Sequence, residues 1–118
     1  MTQHTICSLN DHFRTNLPTG GGVSGKVILT QGIQALCDTD AIPNQHLPEL
    51  IKTVREFDQF TADNDPYGEH DLGTFEFQGE RVFWKIDVMD PSLEVAPLDP
   101  TDPELSVRVL TIMLASEY

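Results

Sequence analysis

Positive charge is scarce in this chain. Its 118 residues carry seven Lys and Arg against nineteen Asp and Glu, a formal net charge of −12. That balance argues against electrostatic binding to nucleic acid or anionic membrane, since both are polyanions. It leaves a basic partner, a cation, or plain solubility. Cysteine is also sparse. Cys7 and Cys37 have no C-x-x-C spacing, which favours two reduced thiols over a disulfide framework. Long apolar runs are missing. The longest, Val109 to Ala115, is interrupted by Thr111 and falls far short of the roughly 20 residues that span a bilayer. No basic stretch followed by an apolar run opens the sequence, so no secretory signal is expected. The expected location is the cytoplasm.

What is present suffices for one fold. The length allows a single domain, residues 1–118, and the apolar fraction of 39% is too high for a wholly disordered chain. The charge is unevenly placed. Residues 1–57 hold five carboxylates and four bases, a net of −1. Residues 58–118 hold fourteen carboxylates and three bases (Arg81, Lys85, Arg108), a net of −11. One strongly negative face is the expected consequence, if the second half forms a contiguous surface.

Periodicity places the elements. Ile6, Leu9, Phe13 and Leu17 predict a short amphipathic helix capped by Thr5. Gly20-Gly21-Gly22 reads as a flexible connection and Lys26–Thr30 as a buried strand. Residues 32–43 are ambiguous, with Ile33, Leu36 and Cys37 fit for one helical turn. Leu47, Leu50, Ile51, Val54 and Phe57 form one apolar stripe and predict a second helix over about residues 46–60. Residues 74–78 and 81–88 alternate with period two around Gln78-Gly79. This pattern predicts a hairpin with a two-residue turn, Glu76 opposite Arg81 and Phe75 opposite Val82. Phe75, Phe77, Val82, Trp84, Ile86 and Val88 then face the core. Pro91, Pro97, Pro100 and Pro103 exclude regular structure over residues 90–103. A short turn at 101–105 followed by a strand is favoured over a C-terminal helix. The fold class is α+β, two helices packed on a mainly antiparallel sheet of about four strands.

Few motifs survive inspection. Gly20-x-x-x-x-Gly25-Lys26 approaches a phosphate-binding loop, but Val27 replaces the required Ser or Thr and a strand follows instead of a helix. Asp63-Asn64-Asp65-Pro66-Tyr67-Gly68 begins like an EF-hand loop. Tyr67 and Thr74 then occupy positions that need oxygen ligands. The same segment still offers an irregular cation site, because Asp63, Asp65, Glu69, His70 and Asp71 place four carboxylates and an imidazole within nine positions. Its simpler reading is a turn, with Asp and Asn bonded to local backbone and Gly68 at positive φ. General acid–base chemistry by Asp71 with Asp87, or by His70 polarised by an acid, is the catalytic alternative. His4, His12 and His46 read as surface or cap residues, and Cys7 as core.

The segments 63–71 (DNDPYGEHD), 83–87 (FWKID) and 109–118 (VLTIMLASEY) resemble a family of small, acidic, stand-alone bacterial proteins of unknown function. The resemblance covers residues 53–118 and extends to the Asn10-Asp11 helix and the Lys26–Thr30 strand. It implies a single-domain, cytoplasmic, bacterial protein, and it supplies no activity. It directs attention to the polar loop 63–71.

Three functions compete. The first, and the expectation adopted, is an acidic protein without catalytic activity that docks on a basic protein. One form is a nucleic-acid mimic inhibiting a bacterial DNA- or RNA-binding or defence protein. Its contact residues are Asp63, Asp65, Glu69, Asp71, Asp87 and Asp90, and it needs no cofactor. The second is a divalent-cation centre or small metal-dependent hydrolase at Asp63, Asp65, Glu69, His70 and Asp71. The third gives the acidic loop a structural role only. Convergent carboxylates around His70 favour a site, and dispersed ones favour a mimic.

Overall fold

The computed structural model describes residues 4–118. Helix α1 (Ile6–Thr15) begins where two side chains satisfy each other's backbone. Thr5 Oγ1 accepts from the Ser8 N–H at 2.9 Å, and Ser8 Oγ accepts from the Thr5 N–H at 2.8 Å. Leu9 and Phe13 are its buried positions on the apolar stripe, and Leu17 is buried just past its end. The glycine run is not a loose tether. Gly20–Gly22 makes one 3-10 turn, capped by Thr19, and β1 (Gly25–Leu29) starts three residues later. A Cβ on Gly25 would overlap the Arg108 carbonyl and the Phe13 ring, so glycine is needed there for close approach. No helix N-terminus follows this loop, in keeping with its failure as a phosphate motif.

The ambiguous stretch contains a third helix, α2 (Gln31–Cys37), against an expectation of two. Seven residues are too few for periodicity to declare a helix, and its local cap, Thr30, is reinforced by a residue far away in sequence. Thr30 Oγ1 accepts from the Ile33 N–H. The Glu117 carboxylate accepts from the Gly32 N–H at 3.1 Å and the Thr30 hydroxyl at 2.6 Å. A carboxylate at a helix N-terminus also meets the positive end of the dipole. Helix α3 (Leu47–Arg55) carries Pro48 in its first turn and ends earlier than the apolar stripe suggests. Phe57 and Phe60 leave the helix and join Trp84 in an edge-on aromatic cluster, with centroids 5.1–6.1 Å apart.

Strands β2 (Leu72–Phe77), β3 (Glu80–Met89) and β4 (Val107–Leu114) complete a four-stranded sheet of order β1-β4-β3-β2. The β2–β3 hairpin has the expected register, with Glu76 opposite Arg81 and Phe75 opposite Val82. Gln78 and Gly79 both take positive φ, as a tight hairpin turn of this hand requires. The sheet is mixed, not simply antiparallel, because β1 runs parallel to β4. Parallel neighbours need a long crossover, and here residues 30–106 intervene. Alternation in sequence reveals a strand but not its neighbour. β1 is also an edge strand, half exposed where burial was expected.

The core lies between the helices and the sheet face that carries Val82, Trp84, Ile86, Leu110 and Ile112. Phe13, Ile33, Cys37, Leu50 and Val54 fill it from the helical side. Each such side chain contributes about 1.5–3 kcal/mol when fully buried. Of the six positions assigned to the core face of the hairpin, Phe77, Val82, Trp84 and Ile86 are buried, while Phe75 and Val88 are half-buried at its margins.

Candidate functional site

The site begins with two buried arginines. Arg14, on the inner face of α1, is 3% exposed. One guanidinium nitrogen donates to the carbonyls of Val54, Arg55 and Phe57 at 2.8–3.1 Å, which closes the C-terminus of α3. The last carbonyls of a helix lack full intrahelical pairing, and a cation suits the negative end of the dipole. The guanidinium also lies over the Trp84 ring, 5.1 Å from its centroid. Burial pulls its pKa down, and Asp11 opposes that pull. Arg108, on β4, is fully buried. It donates to Asn10 Oδ1, Ser106 Oγ and the Pro100 carbonyl at 2.6–3.0 Å. None of these acceptors is charged, and burial lowers Arg108 to about 10.

Asn10 connects this interior to the acidic loop. Fully buried, it accepts from Arg108 and donates to the Glu69 carbonyl at 3.0 Å. Around this anchor the loop folds on Asp65, whose carboxylate turns inward and accepts the N–H groups of Glu69 and His70. That bonding holds His70 at φ 53°, an uncommon conformation for a residue with a side chain. The His70 ring lies flat on Phe60, 3.9 Å between centroids and 2° between planes. Its two nitrogens face two carboxylates. Nδ1 is 2.9 Å from Asp11 Oδ1, and Nε2 is 3.6 Å from Asp65 Oδ2. Asp11 is further held by Arg14 at 3.3 Å and receives the Cys7 thiol at 3.7 Å. Cys7 is half-buried, and burial, reinforced by the Asp11 charge, pushes its thiol up to about 11. Both cysteines are free thiols.

Beside this joint lies a groove of about 270 Å³ lined by Ile6, Asn10, Glu69, Asp71, Asp87 and Pro100 among others. Burial raises the pKa of Asp71, and the charges of Asp65 and Asp87 push it the same way. The hairpin thus brings Asp71 and Asp87 to one place, as the acid–base reading required. Asp87 is exposed and pairs with Lys85 at 2.9 Å.

The residues singled out from sequence therefore divide. Asp65 and His70 converge. Glu69 and Asp71 line the groove. Asp63 is exposed. Asp90 closes its own turn through Ser92, Glu94 and Val95, which holds its carboxyl below the usual range. His12 binds the Gly21 carbonyl and His46 stands at the N-cap of α3. Asn10, Asp11, Arg14 and Phe60 escaped sequence reasoning as members of the site. One signal was available: Cys7, Asp11 and Arg14 recur at i, i+4 and i+7, a polar stripe beside the apolar face of α1.

Fold and site together define a small α+β protein whose polar centre is built where a helix meets an acidic loop. The chain belongs to the family described as "Protein of unknown function (DUF3768)", whose match spans residues 29–117. The match takes in the acidic loop, the hairpin and β4, while α1 precedes it. No curated protein and no solved structure matches the chain. No helix among the described residues is long and apolar enough to cross a membrane.

Proposed function

We propose that this protein is an acidic binding module without catalytic activity that docks on a basic protein. The observation that carries this reading is where the bases go. In residues 58–118, Arg108 is buried, Arg81 pairs with Glu76, and Lys85 pairs with Asp87. Twelve of the fourteen carboxylates there have no Lys or Arg partner among the described residues. Arg14 is withdrawn into the core as well, so the surface is poorer in cations than the composition implies. Such a surface attracts a basic partner over long range and repels polyanions.

The groove between Glu69, Asp71 and Asp87 gives that attraction a focus. A Lys or Arg side chain entering it would relieve the repulsion that Asp87 and Asp65 exert on Asp71. In its sharper form the partner is a bacterial DNA- or RNA-binding or defence protein in the cytoplasm, and the acidic surface imitates nucleic acid. The test is a low-salt pull-down followed by titration of the recovered protein. The recovered partner should be basic, its affinity should fall steeply with salt, and the triple change Glu69→Gln, Asp71→Asn, Asp87→Asn should weaken binding by about tenfold or more. Binding that ignores salt, or capture of no basic protein, would remove the proposal.

A further inference from the structure

We propose that Cys7, Asp11 and His70 form a binding site for a zinc-class divalent cation, independent of the docking of any partner. Cys7 and Asp11 stand one turn apart on α1, so their side chains share a face. The acidic loop brings His70 to that face. One donor atom from each residue lies within 4.8 Å of the other two. The Asp11 carboxylate is 2.9–3.0 Å from His70 Nδ1 and 3.7 Å from Cys7 Sγ. In a tetrahedral zinc site, metal–sulfur and metal–nitrogen or –oxygen bonds of about 2.3 and 2.0 Å put the ligand atoms roughly 3.3–3.5 Å apart. The two distances to Asp11 lie within about 0.4 Å of these values, and the Cys7–His70 separation, 4.8 Å at most, has to close by no more than about 1.3 Å.

The surroundings match what a metal site requires beyond its ligands. A ligating imidazole commonly presents its other nitrogen to a carboxylate, which fixes the ring and raises its donor strength. Here Nε2 faces Asp65, whose side chain is 6% exposed and is itself held by two backbone N–H groups. Ligating carboxylates are in turn hydrogen-bonded. Arg14 holds Asp11 through Oδ1, which leaves Oδ2 on the side of the thiol. Phe60 stacks on the imidazole and fixes its plane. Thiolate, carboxylate and neutral imidazole together carry two negative charges, which balance a divalent ion. A sulfur–nitrogen–oxygen set favours zinc over calcium or magnesium, which prefer oxygen alone. On binding, the Cys7 S–H bond breaks and its proton leaves to solvent, the imidazole proton that Nδ1 shares with Asp11 is relocated to Nε2 facing Asp65, and metal–sulfur and metal–nitrogen bonds form. Three protein ligands leave a fourth position for water or for a group from outside. Asp63, Glu69 and Asp71 are not members of this set.

Cobalt(II) titration of the full chain tests the site. The expected result is one equivalent bound, with a sulfur-to-cobalt charge-transfer band in the near ultraviolet that zinc abolishes. Cys7→Ser, a nearly isosteric change at a half-buried position, should remove the band and the zinc-induced rise in Tm. Asp65→Asn should keep the band and lower zinc affinity by about 10–100-fold. Asp63→Asn should leave both unchanged. Circular dichroism on each variant establishes that it is folded. A folded wild-type protein without the band overturns the proposal, and so does a band that survives Cys7→Ser or zinc affinity equal in the two proteins.

Discussion

Asp65 and Asp71 stand six positions apart in one loop and use their carboxylates in opposite ways. Asp65 is turned inward, accepts two backbone N–H groups and faces the His70 ring. Asp71 lies in a groove with Glu69 and Asp87, half-buried, with no ion-pair partner among the described residues, and its pKa is raised. A carboxylate whose bonds are internally satisfied stabilises the fold. One that is partly desolvated beside like charges costs stability, and that cost is tolerable where a ligand relieves it. The comparison separates the part of the acidic loop that builds the molecule from the part that is offered outward.

The most severe way to break this arrangement is to remove its anchor. Asn10→Ala leaves the Arg108 Nε–H and the Glu69 carbonyl without partners in the interior. The expected loss is about 3 kcal/mol in urea unfolding, since orphaned buried groups keep their desolvation penalty. A loss under about 1 kcal/mol would mean that the loop is held elsewhere. Asp65→Ala should come next, costing roughly 2 kcal/mol through the lost N–H acceptors.

Asp71→Asn should act in the opposite direction. A raised folded-state pKa means that the native protein prefers the protonated carboxyl. The stability linked to that proton is complete below the ordinary value of 3.8 and is lost as pH rises through the raised pKa. The variant should therefore melt higher than wild type at pH 7, and the gap should close on acidification below about pH 4. The same variant should bind the basic partner less well. A variant that gains stability with no loss of binding would sever the groove from function. Asp63→Asn, at an exposed position, should change stability by no more than about 0.5 kcal/mol. A larger effect would show that the loop tip also belongs to the built half.

Some of this was legible in the residues. The hairpin was, register included, because period-two alternation and a Gln78-Gly79 turn act over neighbouring positions and the hydrophobic face permits only one alignment. The Thr5 cap and the strand after residue 106 were legible for similar local reasons. α2 was not, since its N-terminus is completed by Glu117. α3 was read too long because Arg14 takes the carbonyls at which it stops. The candidate site was half legible. His70 and Asp65 drew attention as members of a polar loop. Their partner Asp11 lies 59 positions away from His70, and no period or spacing links the two.

The sequence by itself determined the imbalance of charge and its concentration after residue 57, mostly in the stretches 58–71 and 90–104 that flank the hairpin. Those properties are sums or short-range patterns, and folding cannot alter them. Tertiary structure decided which charges face water. It drew Arg14 and Arg108 into the interior, set Asp65 and Asp11 on either side of His70, and left Asp71, unlike its neighbour Asp87, with no ion-pair partner among the described residues. The free energy of a charge depends on its desolvation and on the neighbours within a few ångströms, and only the folded chain supplies those neighbours.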